Sequence, residues 1–600
     1  MKRAALSLKK PIGLSNRLGP FLGKFIKINL ARVLFNEFFE LFSNFMLKDL
    51  VLFFYTLRFL KPIQLYWRVY LKLVGRRSFF LNKNEEIHTR HLELIPPIPK
   101  HDSLIGEQFF FLNQNMSISF PINWNAPEKS KLWLYNLHYF DFLNQKNNDS
   151  ALGLQLMKDW VQQNNIIGTG NGWEPYPLSL RIVNWIKFFD RIGRTDEIEQ
   201  LQSSLFLQTR VLADRLEYHL LGNHLFKNAV ALIFSGSYFE GEEAKKWIKK
   251  GLQIFIGQVR EQILKDGGHF ERSPMYHVLI SEDILDCLNL NLSRQFFSIT
   301  EEQYIRRKIV DMLNVLADIV HQDGDIPFFN DSALRIAPSP KEIFRYAESL
   351  GIKTVQFDHV SKNRSLINIY EKPDFGLFIF ENRKSKCIFD AGMIGPDHLP
   401  GHAHCDTLSY ELSISGHRCI VNSGTYQYAG TLRNLFRATS AHNTVRVDSK
   451  EQHEIWSTFR VARRGYPFNL QIFRSNNYGS IAASHSGYTR LAGKIVHRRE
   501  IVCRDDSWVV TDCLEGRGMH QADNYIHFHP DVQIISKSSS EVKCSLYDVA
   551  FSLKVLEGES IDWEEGLYSP EFGVSEINQV LVLRKKSLCP IKFSYQITIH

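Results

Sequence analysis

The sequence has few cysteines, and they follow no pattern that would build a metal or disulfide scaffold. All eight cysteines in 600 residues come after residue 286, with no CxxC pair and no regular spacing. Zinc ribbons and dense disulfide frameworks depend on such spacing. Both classes are therefore excluded, and we predict that the cysteines are small buried hydrophobic residues.

Long apolar runs are also missing near the N-terminus. Before residue 60 the longest uncharged apolar runs are 41–47 and 50–57, interrupted by Glu40, Lys48 and Asp49. A helix that spans a bilayer needs about 20 apolar residues, and the three-part order of a cleavable signal peptide is not evident either. The sequence therefore predicts no transmembrane helix and no cleavable signal peptide, and by itself it leaves the compartment open.

A strong excess of one charge is absent as well. The net charge is +8, from 72 basic and 64 acidic residues that are spread along the chain. Because the basic residues form no stripe, the sequence predicts no nucleic-acid partner. A modest positive charge is nevertheless compatible with an anionic substrate. The stretch 53–77, FFYTLRFLKPIQLYWRVYLKLVGRR, interleaves basic and aromatic residues at helical spacing. We interpret it as an amphipathic arm packed on the main domain, with peripheral membrane contact as the alternative.

Two regular patterns divide the rest of the chain. From about 128 to 350, apolar residues recur at helical spacing in segments joined by short Gly, Asn or Pro breaks, which favours antiparallel helical hairpins. After about 365 the period becomes two, in short runs typical of an antiparallel β-sandwich. We predict an α+β multidomain protein with an N-terminal arm and linker (1–127), an incomplete (α/α) toroid (128–360) and a β-sandwich domain (361–600).

Reactive polar side chains are concentrated in a few short motifs. GNHLFKNAVAL (222–232) begins a helix, and DGGHFERSPMYH (266–277) is a Gly-led loop between two helices. GHAHCDTLSYEL (401–412) reads as the start of a strand, on which His402, His404 and Asp406 would share one face. VNSGTYQY (421–428) and FRATSAHNTVRVD (436–448) follow. Loops this rich in titratable and aromatic residues indicate a functional site.

These five motifs, in this order and at these separations, resemble the heparinase II/III family of polysaccharide lyases. The resemblance runs from about 130 to 590. It implies an (α/α) toroid followed by an antiparallel β-sandwich, and cleavage of a polysaccharide that contains uronic acid by β-elimination. It also implies a location in the periplasm or cell envelope and an anionic polysaccharide as the partner.

Five residues are predicted to be catalytic, four of them in the motifs that carry the resemblance and one, Arg272, as a nearby cation. Asn223 and His224 would neutralise the uronate carboxylate, so that a carbanion can develop beside it. Tyr276 would act as both base and acid when the C5 hydrogen and O4 lie on one face, whereas for the opposite epimer His402 would be the base and Tyr276 the acid. Arg272, four residues earlier, would lower the pKa of Tyr276.

Further residues are predicted to bind substrate or a metal. The family's structural zinc site implies His404 and His442 as ligands, with Asn422 at the position of a third. Because a neutral amide is a poor zinc ligand, we consider two alternatives: Asp406 replaces it, or the group is a metal-free support for His402. The substrate-binding candidates in the motif loops and among aromatic pairs are Glu271, His277, Trp173, Tyr176, Tyr426 and Arg437.

Two other functions fit the same pattern. A glycoside hydrolase on an (α/α) barrel would need two carboxylates beside the scissile bond, and several acidic residues of the motifs leave this open. A non-catalytic polysaccharide-binding or assembly protein of a bacterial glycan pathway would retain the cleft without turnover. No cluster of Arg and Lys accompanies the motifs, which favours an unsulfated bacterial glycan as the substrate.

Overall fold

The computed structural model describes residues 47–73, 86–193, 195–353, 367–475, 478–558 and 560–600. The chain forms two units, residues 1–58 and residues 59–600. Within the first unit, the described residues form helix α1 (Leu47–Leu57). The domain boundary predicted at 360/361 lies outside the described residues, and so do parts of the N-terminal arm, 1–46 and 74–85.

Helices make up most of the first half of the second unit. Their apolar stripes meet in one buried cluster, which includes Trp133, Trp160 and Trp185. A small sheet of β1 (Leu104–Ile105), β2 (Gln108–Phe111) and β3 (Gln114–Ser117) lies between the first and second of these helices in the chain. The helices are α2 (Pro62–Leu73), α3 (Lys131–Tyr139), α4 (Ser150–Gln163), α5 (Pro175–Ile192), α6 (Asp196–Asp214), α7 (Gly222–Tyr238), α8 (Glu242–Gln262), α9 (Pro274–Arg294), α10 (Ile299–Ile319) and α11 (Pro340–Ser349).

Antiparallel strands make up the second half. They are β4 (Asn368–Lys372), β5 (Leu377–Glu381), β6 (Ser385–Asp390), β7 (Tyr410–Ile414), β8 (His417–Ile420), β9 (Val445–Val447), β10 (Ile455–Ser457), β11 (Arg460–Val461), β12 (Pro467–Arg474), β13 (Gly479–His485), β14 (Val496–Cys503), β15 (Ser507–Glu515), β16 (Met519–His527), β17 (Gln533–Lys537), β18 (Glu541–Leu546), β19 (Val549–Glu557), β20 (Ser560–Tyr568), β21 (Glu576–Leu588) and β22 (Ile591–Ile599). One short helix, α12 (Leu432–Arg437), lies between β8 and β9.

The strands form one large sheet and several smaller ones. The eight-stranded sheet has the order β12-β13-β14-β15-β22-β19-β18-β17, and a four-stranded sheet has the order β20-β21-β16-β9. A five-stranded sheet, β4-β5-β6-β7-β8, and the β10-β11 hairpin complete the set. Burial alternates along β14 and β15, as expected of strands with one face in a core.

The five-stranded sheet lies between the helical core and the β core. Leu377 and Ile379 of β5 pack in the helical core, whereas Phe378 and Phe380 of the same strand pack in the β core. Because side chains alternate along a strand, one sheet can serve both cores. The loops that join this sheet to its neighbours are therefore anchored by both the helical core and the β core.

The predicted fold class is confirmed: a helical domain precedes an antiparallel β domain. The predicted strand start at 401 is wrong, because residues 401–409 form turns and β7 begins at Tyr410. The turns are closed by backbone hydrogen bonds such as Ser409 N–H to Asp406 O (2.9 Å). All eight cysteines are free, and six of them are buried.

Among the described residues, no helix is both long and apolar enough to cross a membrane. Helix α2 presents exposed apolar side chains, including Ile63 and Tyr66. Its buried Gln64 donates hydrogen bonds to the backbone carbonyls of Leu220 (3.2 Å) and His398 (3.4 Å). Contact of the arm with a membrane stays a prediction.

Candidate active site

Asn223 and His224 lie at the first turn of α7. Gly222, which begins the helix, has φ +57°, and a Cβ there would lie 2.2 Å from the side chain of Leu399 and 2.7 Å from Glu271. A side chain at residue 222 would therefore displace the turn. The helix start carries no side-chain cap, so its first N–H groups are free to bind other partners.

A buried carboxylate, Glu271, binds that helix start. The backbone N–H of Asn223 donates to Glu271 Oε1 (3.1 Å), and Asn223 Nδ2 lies 3.0 Å from each carboxylate oxygen. Glu271 Oε2 also lies 3.7 Å from His402 Nε2. Glu271 therefore connects the two domains at the site and orients the amide of Asn223. A direct contact of Glu271 with substrate, as predicted, would have to replace these bonds.

His224 is held by a second buried carboxylate. Its Nδ1 lies 3.0 Å from Glu217 Oε1, while Asn228 Nδ2 donates to Glu217 Oε2 (3.0 Å). Burial alone would lower the pKa of His224, but Glu217 outweighs it and the net shift is upward. The imidazolium form is therefore favoured, and 31% of the side chain stays exposed to solvent.

Tyr276 lies at the start of α9, which is capped by the Ser273 side chain. Its hydroxyl is 3.1 Å from the Tyr428 hydroxyl, and its ring centroid is 4.0 Å from that of His402. Burial, followed by the neighbouring Tyr428, raises the pKa of Tyr276 well above 10. The phenol is therefore protonated near neutral pH.

Asp331, in the loop after α10, binds three cationic or donor groups of the β domain. Its oxygens lie 2.9 Å from His402 Nδ1 and 2.8 Å from His404 Nε2, and Arg433 forms a bidentate ion pair with it. Burial would raise the pKa of Asp331, but Arg433 and the two histidines hold it well below 3.8. Because Asp331 is then a carboxylate, His402 donates from Nδ1, which leaves Nε2 as the proton acceptor.

The predicted effect of Arg272 on Tyr276 is wrong. The guanidinium of Arg272 donates to the backbone carbonyls of Asp374 (2.8 Å) and Phe375 (3.1 Å). Arg272 has φ +56° and precedes the helix that carries Tyr276, so the two side chains do not share a helix face. Arg272 instead ties the 266–277 loop to the turn before β5.

Three residues predicted to bind substrate are buried in the protein interior instead. Trp173 donates from its indole to Asn164 O (3.1 Å), and His277 Nε2 contacts Met312 O (3.0 Å). Arg437 donates to backbone carbonyls, including that of Ala403 (2.9 Å). All three side chains are almost fully buried. Their side chains therefore stabilise the protein interior and are not available to a ligand.

Tyr176 and Tyr426 are partly exposed. The Tyr176 ring lies 4.5 Å from the His224 ring. Tyr426 stacks on Phe436 at 5.9 Å. A substrate contact by Tyr426 stays a prediction, whereas Tyr176 is placed directly beside a predicted catalytic residue.

A candidate metal site lies close to His402 in the chain. It consists of His404, Asp406 and His442, which we call the metal cluster. One ligand atom from each lies within 4.8 Å of the others, and all three are buried. Among the described residues, His404 Nδ1 and both ring nitrogens of His442 have no hydrogen bond of normal geometry. Two imidazoles and a carboxylate are donors that zinc accepts, so the residues fit the ion.

A role of Asn422 as a third ligand stays a prediction. Its amide Nδ2 donates weakly to Ser409 Oγ (3.4 Å), and its Oδ1 accepts from the Asn443 backbone N–H (3.4 Å). Asp406, the alternative third ligand, has a carboxylate oxygen within 4.8 Å of the ring nitrogens of both histidines. Its carboxylate also accepts a hydrogen bond from the Asn330 backbone N–H (2.7 Å).

Sequence reasoning did not identify Glu217, and it assigned no role to Tyr428 or Arg433, which belong to the polar stretches of the β domain. It counted Asp331 only among the acidic residues that leave a hydrolase open. Glu217 matches no spacing rule, whereas Tyr428 is part of the VNSGTYQY motif. In the structure Glu217 contacts His224, Tyr428 contacts Tyr276, and Arg433 acts on His402 through Asp331.

Comparison with known proteins agrees with this architecture. The family model "Heparinase II/III N-terminus" matches residues 101–349, and "Heparinase II/III-like, C-terminal" matches 369–595. A solved heparinase III structure superposes with a TM-score of 0.64 at 16% identity, covering 80% of this chain and 79% of the other. A heparan sulfate lyase mutant from Pedobacter heparinus gives 0.55 at 19% identity, with 82% and 81% covered.

Curated relatives are similar over a shorter stretch. A heparin-sulfate lyase of Bacteroides stercoris is 26% identical over 312 residues, which is 50% of this chain and 44% of the relative. A heparin-sulfate lyase of Pedobacter heparinus is 25% identical over 318 residues, 49% of this chain and 47% of the relative. The chain thus spans about half the length of the curated relatives it matches. Since the two family models cover most of the sequence, the chain belongs to the heparinase II/III family.

Proposed function

We propose that the protein is a polysaccharide lyase that cleaves a uronate polysaccharide by β-elimination. The observation that carries the proposal is the convergence of four side chains from three distant segments: Asn223, His224, Tyr276 and His402. The curated relatives are named heparin-sulfate lyases, which supports the same reaction class.

The first requirement of the reaction is to offset the charge of the uronate. Removal of the C5 proton places negative charge next to a carboxylate that is already negative, so donors must face that group. His224 supplies a cation, since Glu217 favours its protonated form. Both contacts of Asn223 Nδ2 fall on one carboxylate, Glu271, and its second N–H can therefore be donated to the substrate.

The second requirement is a base and an acid. His402 Nε2 accepts the C5 proton, while Asp331 stabilises the imidazolium that forms. Tyr276, protonated at neutral pH, donates to O4 as the C4–O4 bond breaks. The products are a 4,5-unsaturated uronate end and a free hydroxyl on the departing sugar. The proton on His402 Nε2 then returns through water to the Tyr276 phenolate, which restores both groups.

The close contact of base and acid limits the stereochemistry. The ring centroids of Tyr276 and His402 are 4.0 Å apart, which is van der Waals contact and leaves no room for a sugar between them. Both groups must therefore reach the same face of the sugar. The pair of His402 and Tyr276 is therefore assigned to a 4-linked glucuronate, whose C5 hydrogen and O4 lie on one face. This replaces the expectation that Tyr276 acts alone on that epimer and that His402 serves the opposite one.

A zinc ion would be held by the metal cluster. There it would supply a fixed positive charge that holds the 401–409 turns in place, and it takes no part in the proton transfers. The polypeptide supplies the rest of this support, since His404 also donates to Asp331 (2.8 Å). His402 is thereby positioned from two sides.

A hydrolytic mechanism is less well supported by the same residues. A hydrolase needs one carboxylic acid that stays protonated near neutral pH. Asp331 is fully buried and its pKa is held low, while Glu271 is bonded to Asn223 by both oxygens. Neither residue is therefore suited to the role of general acid.

The test uses the ultraviolet absorbance of the unsaturated end. The parent protein should generate this absorbance from a glucuronate polymer in step with new reducing ends, whereas a hydrolase would generate reducing ends alone. Tyr276→Phe should abolish the rate and keep substrate binding. Tyr547→Phe, which alters an exposed tyrosine, is the matched control and should retain full activity. An active Tyr276→Phe variant would disprove the mechanism.

A further inference from the structure

Helix α2 lies where two loops that lead into the active site meet. Its one buried residue is Gln64, which is 1% exposed. A carboxamide nitrogen carries two hydrogens, and that of Gln64 donates to the backbone carbonyls of Leu220 (3.2 Å) and His398 (3.4 Å). The Gln64 side-chain oxygen accepts from the backbone N–H of Lys61 (2.9 Å). Both donors of this amide are therefore used, one on each loop.

The first loop is the turn 217–221, which we call the entry turn because α7 begins directly after it. It contains Glu217, the carboxylate that lies 3.0 Å from His224 Nδ1. Helix α2 contacts this turn a second time, since the ring of Trp67 stacks on that of Tyr218 with the centroids 5.1 Å apart and the planes 21° from parallel. The turn that holds the cation of the site thus packs against α2.

The second loop, 395–401, comes directly before His402 and belongs to the β domain. Gln64 binds it at the His398 carbonyl. The next side chain, Leu399, packs so closely on the start of α7 that a Cβ at Gly222 would lie 2.2 Å from it. The 395–401 loop and the entry turn therefore meet beside Gln64, and a shift of one loop moves the surface on which the other packs.

Two charged contacts fix the N-terminal end of α2 to both domains. Lys61 forms an ion pair with Glu261 of α8, but these side chains are 40% and 32% exposed, and such pairs contribute little. Arg464 of the β domain is 1% exposed, donates to Asp397 (2.6 Å) and lies over the ring of Phe59 at 3.8 Å. A buried cation over an aromatic ring is a stronger contact. The buried contacts of Gln64 and Arg464 therefore dominate the docking of α2.

The two loops lead into groups that must act on one sugar at the same time. The entry turn leads into Asn223 and His224, which offset the uronate charge in the proposed reaction, and the 395–401 loop leads into His402, the base. Gln64 binds the loops three and four residues before Asn223 and His402. A misplacement of about 1 Å can lower a rate by about 100-fold. A side chain bonded to both loops therefore influences the rate.

We propose that Gln64 is a positioning residue of the active site, which fixes the separation of His224 and His402 by joining the entry turn to the 395–401 loop. The inference rests on the proposed function. It adds a role for a segment outside the region that the N-terminal family model matches, since that match begins at residue 101. Gln64 is not a catalytic residue, because it acts only through the backbone carbonyls of the two loops.

The kinetic test uses Gln64→Glu and Gln64→Met, which keep the length of the side chain and remove both donors. We expect kcat to fall about fivefold or more, the effect of one or two neutral hydrogen bonds. KM should stay within about twofold of the parent, because the lost contact serves alignment in the transition state. Leu65→Gln is the matched control: it places an amide at an exposed position of the same helix and should keep the parent kcat. Parent-like kcat in both Gln64 variants would overturn the inference.

A double variant distinguishes positioning from a general loss of stability. Leu399→Ala removes the side chain through which the 395–401 loop packs on α7. If Gln64 acts through this loop, Gln64→Met combined with Leu399→Ala should lower kcat no more than Leu399→Ala alone, within about twofold. Urea unfolding at the assay temperature gives the folded fraction of each variant, and each kcat is divided by it. Losses that multiply in the double variant would overturn the inference.

Amide hydrogen exchange separates failure of the inference from failure of the proposed function. The N–H groups of Leu221 and Leu399 are bonded within their own loops (2.8 and 2.9 Å), so their exchange reports local opening of each loop. Both should exchange faster in Gln64→Met than in the parent, and neither in Leu65→Gln. If no polymer yields unsaturated ends, the lyase proposal is disproved, and this measurement alone decides whether Gln64 joins the loops. Faster exchange in only one loop, or in neither, overturns the inference.

Discussion

Replacing Glu217 by Gln should identify the role of His224. Glu217 is buried and accepts hydrogen bonds from His224 Nδ1 and from Asn228, whose Oδ1 in turn accepts from the Glu217 backbone N–H (2.8 Å). Gln keeps the size of the side chain, and the backbone bond to Asn228 holds the loop. The substitution therefore removes a charge with little change of shape.

The size of the effect follows from the bond that is lost. A hydrogen bond between charged groups contributes about 1.5–3 kcal/mol, which corresponds to roughly 10- to 150-fold in kcat/KM if the cation is needed only as charge develops. The upward pKa shift of His224 means that the parent keeps the imidazolium to higher pH than the variant does. The decrease in kcat/KM of the variant relative to the parent should therefore be smallest at acidic pH. It should become larger as the pH rises through about 6.5, the ordinary pKa of histidine.

Initial rates of unsaturated product, measured across that pH range on one glucuronate polymer, provide the assay. The contact between Glu217 and His224 also stabilises the fold. This stabilisation is fully present below the ordinary histidine pKa and is lost as the pH rises through the raised pKa of His224. Glu197→Gln is the control for loss of a glutamate charge, and urea unfolding at each pH separates activity from folding. Superimposable pH profiles for Glu217→Gln and the parent would refute a cationic role for His224.

Three further predictions concern the support of the site. Asp331→Asn leaves the buried Arg433 without its anion and should lower the free energy of unfolding by about 3–5 kcal/mol; a change below about 1 kcal/mol in urea unfolding would contradict the described pair. Purified protein should contain about one zinc per chain by elemental analysis, and His442→Ala should lose it and melt at lower temperature; a folded parent free of zinc after growth with added zinc would refute the metal assignment. Gly222→Ala should lower the free energy of unfolding by about 1–3 kcal/mol more than Gly241→Ala does. Both glycines have positive φ, but only at Gly222 would the new Cβ lie 2.2 Å from a leucine side chain. Equal decreases in the free energy of unfolding would show that backbone strain alone determines the effect.

Periodicity was sufficient to predict the two halves of the fold. Apolar spacing reports which face of a helix or strand is buried, and that information is local. The turns at 401–409 were read as a strand because they precede the true alternation of β7, from Tyr410 onward. What bends the chain there is a set of contacts with Asn330 and Asp331, about 70 residues earlier, and no local pattern encodes them.

The same distinction applies to the candidate site. Motif density was enough to single out Asn223, Tyr276 and His402, which the structure brings together. Arg272 was paired with Tyr276 because it is a cation four residues earlier in the same motif, but the chain turns at Arg272 and the helix begins only at Pro274. Glu217 could not be identified, since a single glutamate seven residues before a histidine has no recognisable spacing. Such partners are fixed by tertiary packing alone.

The carboxylate of Asp331 belongs to the helical domain, and its three partners belong to the β domain. Each half of the molecule thus holds only part of this buried group of charges, and the β domain alone would leave the Arg433 guanidinium without its anion. We therefore expect each half to be unstable when it is expressed alone. We also expect that an exchange of halves between family members would need this acidic contact to be preserved.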